Sequence, residues 1–160
     1  MLTETSQIKL VSEVPVSLVL ELHHRRLDEM LDRVEMDVEI GDWSEARTGF
    51  ARFQVELEEH MRIEEEMIFP SFEAFTRSPG GPTAVMRAEH DQIRQVLTVL
   101  EGFLGDEQPI DEATLALEAL LSVHNDKEER VIYPMFERHA PPEACAALKL
   151  ELRPLLGHSE

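Results

Sequence analysis

The sequence predicts an all-α protein: an up-down-up-down antiparallel four-helix bundle followed by a short fifth helix. Three observations point there. Apolar residues recur at three- and four-residue steps over long stretches. Glycine and proline gather at few places, so the breaks between those stretches are short. Strand signals are sparse, with one Tyr, one Trp and no Asn-Gly or Asp-Gly hairpin turn. Long helices with short connections run antiparallel to their neighbours.

The first helix is expected from Pro15, a first-turn proline, to about Glu39, with Leu20, Leu27, Leu31, Val34 and Val38 on one face. Gly41 is a C-terminal stop. Asp42 and Glu45 have the spacing of a capping box that opens the second helix. That helix carries Phe50, Phe53, Leu57, Met67 and Ile68 to Pro70, with a kinked continuation to about Thr76. The Ser-Pro-Gly-Gly-Pro run at 78–82 breaks the chain. A third helix follows from Thr83 to Leu104, with Val85, Ile93, Val96, Leu97 and Leu100 inward. After a loop, Asp111 is the expected N-cap of a fourth helix. It runs through Leu117, Leu120, Leu121, Val131 and Ile132 toward Pro134 and frays near His139. Pro141 and Pro142 open the fifth helix, which is expected to end before Pro154 and leave a frayed tail.

The chain's 160 residues suit one domain, with a bundle core at about 15–139 and the short helix and tail at 141–160. Its 33 acidic residues outnumber 15 Lys and Arg, a formal charge of −18. A surface that acidic repels nucleic acid and anionic membranes and attracts cations. The single cysteine, Cys145, rules out an internal disulfide and a cysteine-rich metal site. The N-terminal stretch lacks the basic start and unbroken apolar run of a signal peptide. No segment reaches the length of a membrane span. A cytoplasmic protein is the expectation.

The chain also repeats itself. His60-x-x-x-Glu64-Glu65-x-x-Ile68-Phe69-Pro70 aligns without a gap on His124-x-x-x-Glu128-Glu129-x-x-Ile132-Tyr133-Pro134. More weakly, His24, Leu27 and Leu31 match His90, Ile93 and Leu97 at identical offsets. Residues four apart share a helix face. His60 with Glu64, and His124 with Glu128, therefore lie on the apolar face, in step with Leu57 and Leu121. His24 and His90 fall on the apolar stripes of their own helices. Four imidazoles and two carboxylates thus aim into one bundle, while the basic residues sit largely outward. Burying two unpaired carboxylates would cost several kcal/mol. A bound cation resolves the problem for all six. Nitrogen and carboxylate donors suit two borderline divalent metals, iron first, then manganese or zinc. Each metal would take two histidines, with Glu64 and Glu128 bridging and positions left open for dioxygen, nitric oxide, peroxide or water.

This pattern over roughly residues 18–137, with a proline closing helices two and four, resembles the hemerythrin-like HHE cation-binding family of bacterial type. The resemblance implies a four-helix bundle around a non-haem di-iron centre, oxo- or hydroxo-bridged when oxidised. Carried over position by position, it assigns His24, His60, Glu64, His90, His124 and Glu128 as ligands. Oxygen-storing hemerythrins have a further histidine four residues after the one in helix three, where this chain has Arg94. Their helix-four acid also follows its histidine by five residues, not four. These departures move the expectation from oxygen carriage toward sensing, iron handling or nitrosative stress. They leave both metals with exchangeable positions unless His23, Tyr133 or a nearby carboxylate substitutes.

The neighbours of the six read more plainly. His23 also lies near Leu20 and Leu27, but only His24 has the His90 offsets. Glu65 and Glu129 turn about 100° away from the ligand face, so they are solvated or stand behind it. Tyr133 and Phe69 are packing residues, although Tyr133 could bring a hydroxyl near the metals. His139 and His158 are surface residues. Three function classes follow: a di-iron protein that binds or senses a small ligand or handles iron; an enzyme reducing peroxide or nitric oxide; and a metal-free structural bundle. The first two imply a small diatomic ligand or peroxide as partner, with a protein electron donor or a homodimer possible.

Overall fold

The computed structural model describes residues 13–78 and 80–156, so readings on residues 1–12, on Pro79, on His158 and on the final tail lie outside it. The described residues are helical, with no strand among them. They form α1 (Val16–Glu39), α2 (Trp43–Ile63), α3 (Phe69–Thr76), α4 (Pro82–Gly105), α5 (Asp111–Lys127), α6 (Tyr133–His139) and α7 (Pro142–Leu156). A π-helical turn, Glu64–Ile68, joins α2 to α3, and another, Glu128–Ile132, joins α5 to α6. α1, α2–α3, α4 and α5–α6 are the four long members of the bundle. No helix of the described residues is long and apolar enough to cross a membrane.

Local chemistry sets the ends. Pro15 caps α1 in an extended conformation just before its first turn. Gly41 takes a φ of +78°, a left-handed turn that costs glycine nothing. The Asp42 carboxylate accepts from the Glu45 N–H at 3.1 Å. The reciprocal half of the capping box is not used, because the Asp42 N–H goes to the Asp37 carbonyl. Asp111 is the first residue of α5 rather than its cap, which is Ile110. α7 continues through Pro154, because the buried Leu152 and Leu155 on either side hold the last turn against the bundle.

The two π turns answer Pro70 and Pro134. Proline has no N–H, and its ring collides with the carbonyl four residues back in a regular helix. Each helix widens by one residue just before its proline. The Phe69 N–H bonds the Glu64 carbonyl, and the Tyr133 N–H bonds the Glu128 carbonyl, each five residues back. The expected kink is therefore a register change that starts at the glutamate of each repeat. The extra residue also turns Val131 outward, and on α4 it is Met86, not Val85, that is buried.

Two apolar clusters fill the interior. One packs Leu27, Leu31, Phe50, Phe53, Leu57, Leu97, Leu100, Leu117 and Leu121. The other packs Val19, Leu20, Ile63, Ile68, Phe69, Phe72, Met86, Ile132 and Phe136, with Leu148 and Leu152 of α7 as its cover. Between them lies a polar layer: His23, His24, His60, Glu64, His90, His124 and Glu128, all buried.

Candidate metal centre

All six sequence-predicted donors converge there. α1 supplies His24, α2 His60, α4 His90 and α5 His124, while Glu64 and Glu128 open the two π turns. They fall into two sets sharing both carboxylates: His24, His60, Glu64 and Glu128, then Glu64, His90, His124 and Glu128. In the first set His24 Nε2 and His60 Nε2 lie 3.1 Å apart, and His60 Nε2 is 3.0 Å from Glu64 Oε1. In the second, His90 Nε2 stands 3.1 Å from both His124 Nε2 and Glu64 Oε2, with His124 Nε2 3.2 Å from Glu128 Oε1. Donors at about 2.1 Å from one ion stand about 3.0–3.4 Å apart along the edges of its coordination polyhedron. The observed separations have that spacing.

Hydrogen bonding satisfies only part of this layer. Glu64 Oε2 and Glu128 Oε2 are fully buried without a hydrogen-bond partner. Among the described residues, the ion pairs of the two carboxylates are to histidines, with none to Arg or Lys. Orphaned carboxylate oxygens amid imidazoles that face one another nitrogen to nitrogen are a donor set that fits a cation.

Three of the four histidines are held from behind by a hydrogen bond at Nδ1. His60 Nδ1 meets His23 Nδ1 at 2.8 Å, and His23 Nε2 reaches Glu56 at 3.3 Å, itself clamped by Arg26. His90 Nδ1 meets Glu65 at 2.7 Å, and His124 Nδ1 meets Glu89 at 2.8 Å. Such partners fix the tautomer that leaves Nε2 free to bind. Glu65 thus stands behind a histidine, as one of its two sequence readings had it. His23 is buried as deeply as His24 but supports His60 instead of joining a set. Arg94 turns outward to Glu58 and Glu65, so the position four residues after His90 offers no donor. His139 is exposed.

Tyr133 packs in the second apolar cluster, as expected, and also takes its other sequence reading, a hydroxyl brought to the donor layer. Its hydroxyl donates to Glu64 Oε1 at 2.5 Å and lies 3.0 Å from His24 Nε2 and 3.2 Å from His60 Nε2. In a regular helix the fifth residue after Glu128 points about 140° away. The π turn brings it back over the same face. Its repeat equivalent, Phe69, packs against the His90 ring at 5.4 Å between centroids. One set therefore has a phenol beside it and the other a bare phenyl ring. Repetition of the Ile-aromatic-Pro ending was the sequence signal.

Electrostatics show what the cluster does without metal. Burial lowers the His24 imidazole, but the Glu128, Glu129 and Glu64 carboxylates outweigh it and raise its pKa to about 10. Burial likewise opposes, and Glu128, Glu64 and Glu89 raise, His124 to about 9. His23 drops to about 3 through burial and the neighbouring His60. Burial would raise Glu64, yet His60 and His90 hold it well below the ordinary carboxylate range. Protons thus supply the positive charge that the carboxylates demand. Because the folded pKa values of His24 and His124 exceed the ordinary 6.5, their stabilisation is complete below about 6.5 and lost as pH rises through 9–10. Melting in the presence of a chelator should therefore give a temperature that falls steadily from pH 7 to pH 10. A flat profile would contradict this electrostatic account.

Comparison with known proteins agrees with this architecture. The family model described as "Hemerythrin HHE cation binding domain" matches residues 17–141. Over 72 residues the chain is 35% identical to the iron-sulfur cluster repair protein YtfE of Dickeya chrysanthemi (strain Ech1591). The match covers 44% of this chain and 33% of that protein, so the chain spans about a third of its relative's length. No solved structure matches. With the family model covering most of the sequence, and both halves of the repeated motif inside the match, this chain belongs to the hemerythrin HHE cation-binding domain family.

Proposed function

We propose that the protein is a non-haem di-iron protein that binds a small ligand at its metal centre or holds iron for use elsewhere. His24 and His60 hold the first metal, His90 and His124 the second, and Glu64 and Glu128 bridge them. Tyr133 adds an oxygen donor to the first position. The single observation that carries this reading is the pair of buried carboxylates, each with one orphaned oxygen, shared between two histidine pairs. Imidazole and carboxylate donors suit iron, with manganese or zinc the nearest competitors. The printed name of the YtfE relative, an iron-sulfur cluster repair protein, supports an iron-related role.

The centre is not symmetric in this reading. The sequence alone leaves both metals exchangeable unless a residue such as Tyr133 substitutes, and Tyr133 does so on the first side. The second position has Phe69 and the outward-turned Arg94 near it and neither supplies a donor. That side is open to nitric oxide, dioxygen or peroxide. A lone Cys145 and a site that must load ferrous iron suit a reducing compartment such as the cytoplasm.

Anaerobic reconstitution with ferrous iron, desalting and elemental analysis should return about two irons per chain, by the ligand counting of carboxylate-bridged bundles. A chain that retains no transition metal would sink the reading and leave the metal-free bundle. Turnover of peroxide or nitric oxide with an added reductant separates an enzyme from a binding protein.

A further inference from the structure

A groove of about 730 Å³ runs between α1 and α5. Acids face acids across it: Asp28 and Asp32 from α1, Glu118 from α5 and Glu129 from the following π turn. Asp32 and Glu118 of this lining, with the neighbouring Glu35, bring carboxylate oxygens within 4.8 Å of one another. Partial burial, then repulsion from Glu35, Asp32 and Asp28, raises the Glu118 carboxyl above its ordinary range. The groove also contains Arg25 and Lys127, but Lys127 is already engaged by Glu89. Facing like charges destabilise a fold unless a cation visits them.

The inner end of the groove abuts the metal centre. His24, Asp28 and Asn125 line both the groove and the cavity of about 10 Å³ that holds His60, Glu64, His124 and Glu128. His24 is 4% exposed. Its Nε2 joins the first donor set, whereas Nδ1 has no hydrogen-bond partner, and the groove's Glu129 stands 3.7 Å from it. Polar side chains alone stand between the acidic groove and the centre, and among them His24 turns a nitrogen without a hydrogen-bond partner toward the groove carboxylate. The two apolar clusters close the centre above and below.

We propose that this groove is the route by which ferrous iron enters the centre. Asp32, Glu35 and Glu118 collect the hydrated cation, Asp28 and Glu129 draw it inward, and a swing of the His24 ring admits it. The proposal rests on the metal-binding reading above and adds a path and a gate to it.

The test is the rate of ferrous uptake by metal-free protein, followed anaerobically by stopped flow as a coloured ferrous chelate is depleted. Combining Asp32→Asn, Glu35→Gln and Glu118→Gln should slow loading about tenfold at low salt and flatten its dependence on ionic strength. The final iron content should stay unchanged. Removing repulsion should not lower the melting temperature, which shows that the variant is folded. Ser122→Arg, which adds a cation to the groove wall, should also slow uptake. The charge-matched control Glu101→Gln, Asp106→Asn and Glu143→Gln lies on exposed positions outside the groove and should load at the wild-type rate. Wild-type rates in both groove variants, with full iron content, would overturn the route while leaving the metal centre standing. Equal slowing in the control would reduce the effect to net charge and overturn it too. A wild-type chain that takes up no iron would fail at the earlier step, the centre itself.

Discussion

Removing the metal should lower the melting temperature by about 10 °C. A ligand that binds only the folded state, present at about a thousand times its dissociation constant, stabilises by about 4 kcal/mol. For a chain of this size each kcal/mol is worth about 2–4 °C. The structure gives the loss a local cause. Glu64 and Glu128 are fully buried and share a site, and without a cation only protonated imidazoles balance them. Glu64→Gln keeps the side-chain volume and removes the charge that both donor sets share. Its melting temperature should hardly respond to a chelator, whereas the wild type responds strongly. Calorimetry of both proteins with and without chelator checks this. A wild-type curve that chelation leaves unmoved would return the buried acids to a structural role.

The convergence of the six residues was legible in the sequence because the repeat counts residues and the α-helical period converts that count into a shared face. The His-x-x-x-Glu spacing sits inside α2 and α5, where the period holds up to the glutamate itself. Legibility fails one residue later. From Glu64 and Glu128 onward the π turns add a residue that periodicity cannot see, so Val131 was expected inside and is exposed. Tyr133 was read first as a packing residue, with a hydroxyl near the metals as the lesser reading, and that hydroxyl reaches all four members of the first set. The prolines at 70 and 134 signalled a break, but not that the helix would widen to accommodate them. Support from His23, Glu65 and Glu89 was harder to find, since it depends on which helices lie side by side. Pairing between α1 and α2, or α4 and α5, is a fact of packing, and a single helix face carries no record of it.

Tyr133→Phe should abolish a visible absorption band of the ferric-loaded protein. In the metal-free protein the phenol stays protonated: burial raises its pKa well above the ordinary value, and the Glu128 and Glu64 charges push it further. Ferric iron held by His24 and His60 would compete with that proton. The hydroxyl oxygen stands 3.0 and 3.2 Å from those two nitrogens, the spacing the other donors keep. A phenolate bound to ferric iron absorbs visible light by charge transfer, and phenylalanine cannot. Losing the hydroxyl also removes the donor to Glu64, at a cost of about 1–3 kcal/mol if nothing replaces it. The reciprocal change reads the other half of the repeat. Phe69→Tyr would place a second phenol beside His90, where the wild type has only a ring edge or face to offer. It should strengthen the band and reduce nitric oxide binding to the ferrous-loaded protein, because the open position is then contested. A wild-type band that survives Tyr133→Phe, or nitric oxide binding indifferent to Phe69→Tyr, would show that the two halves of the centre are equivalent after all.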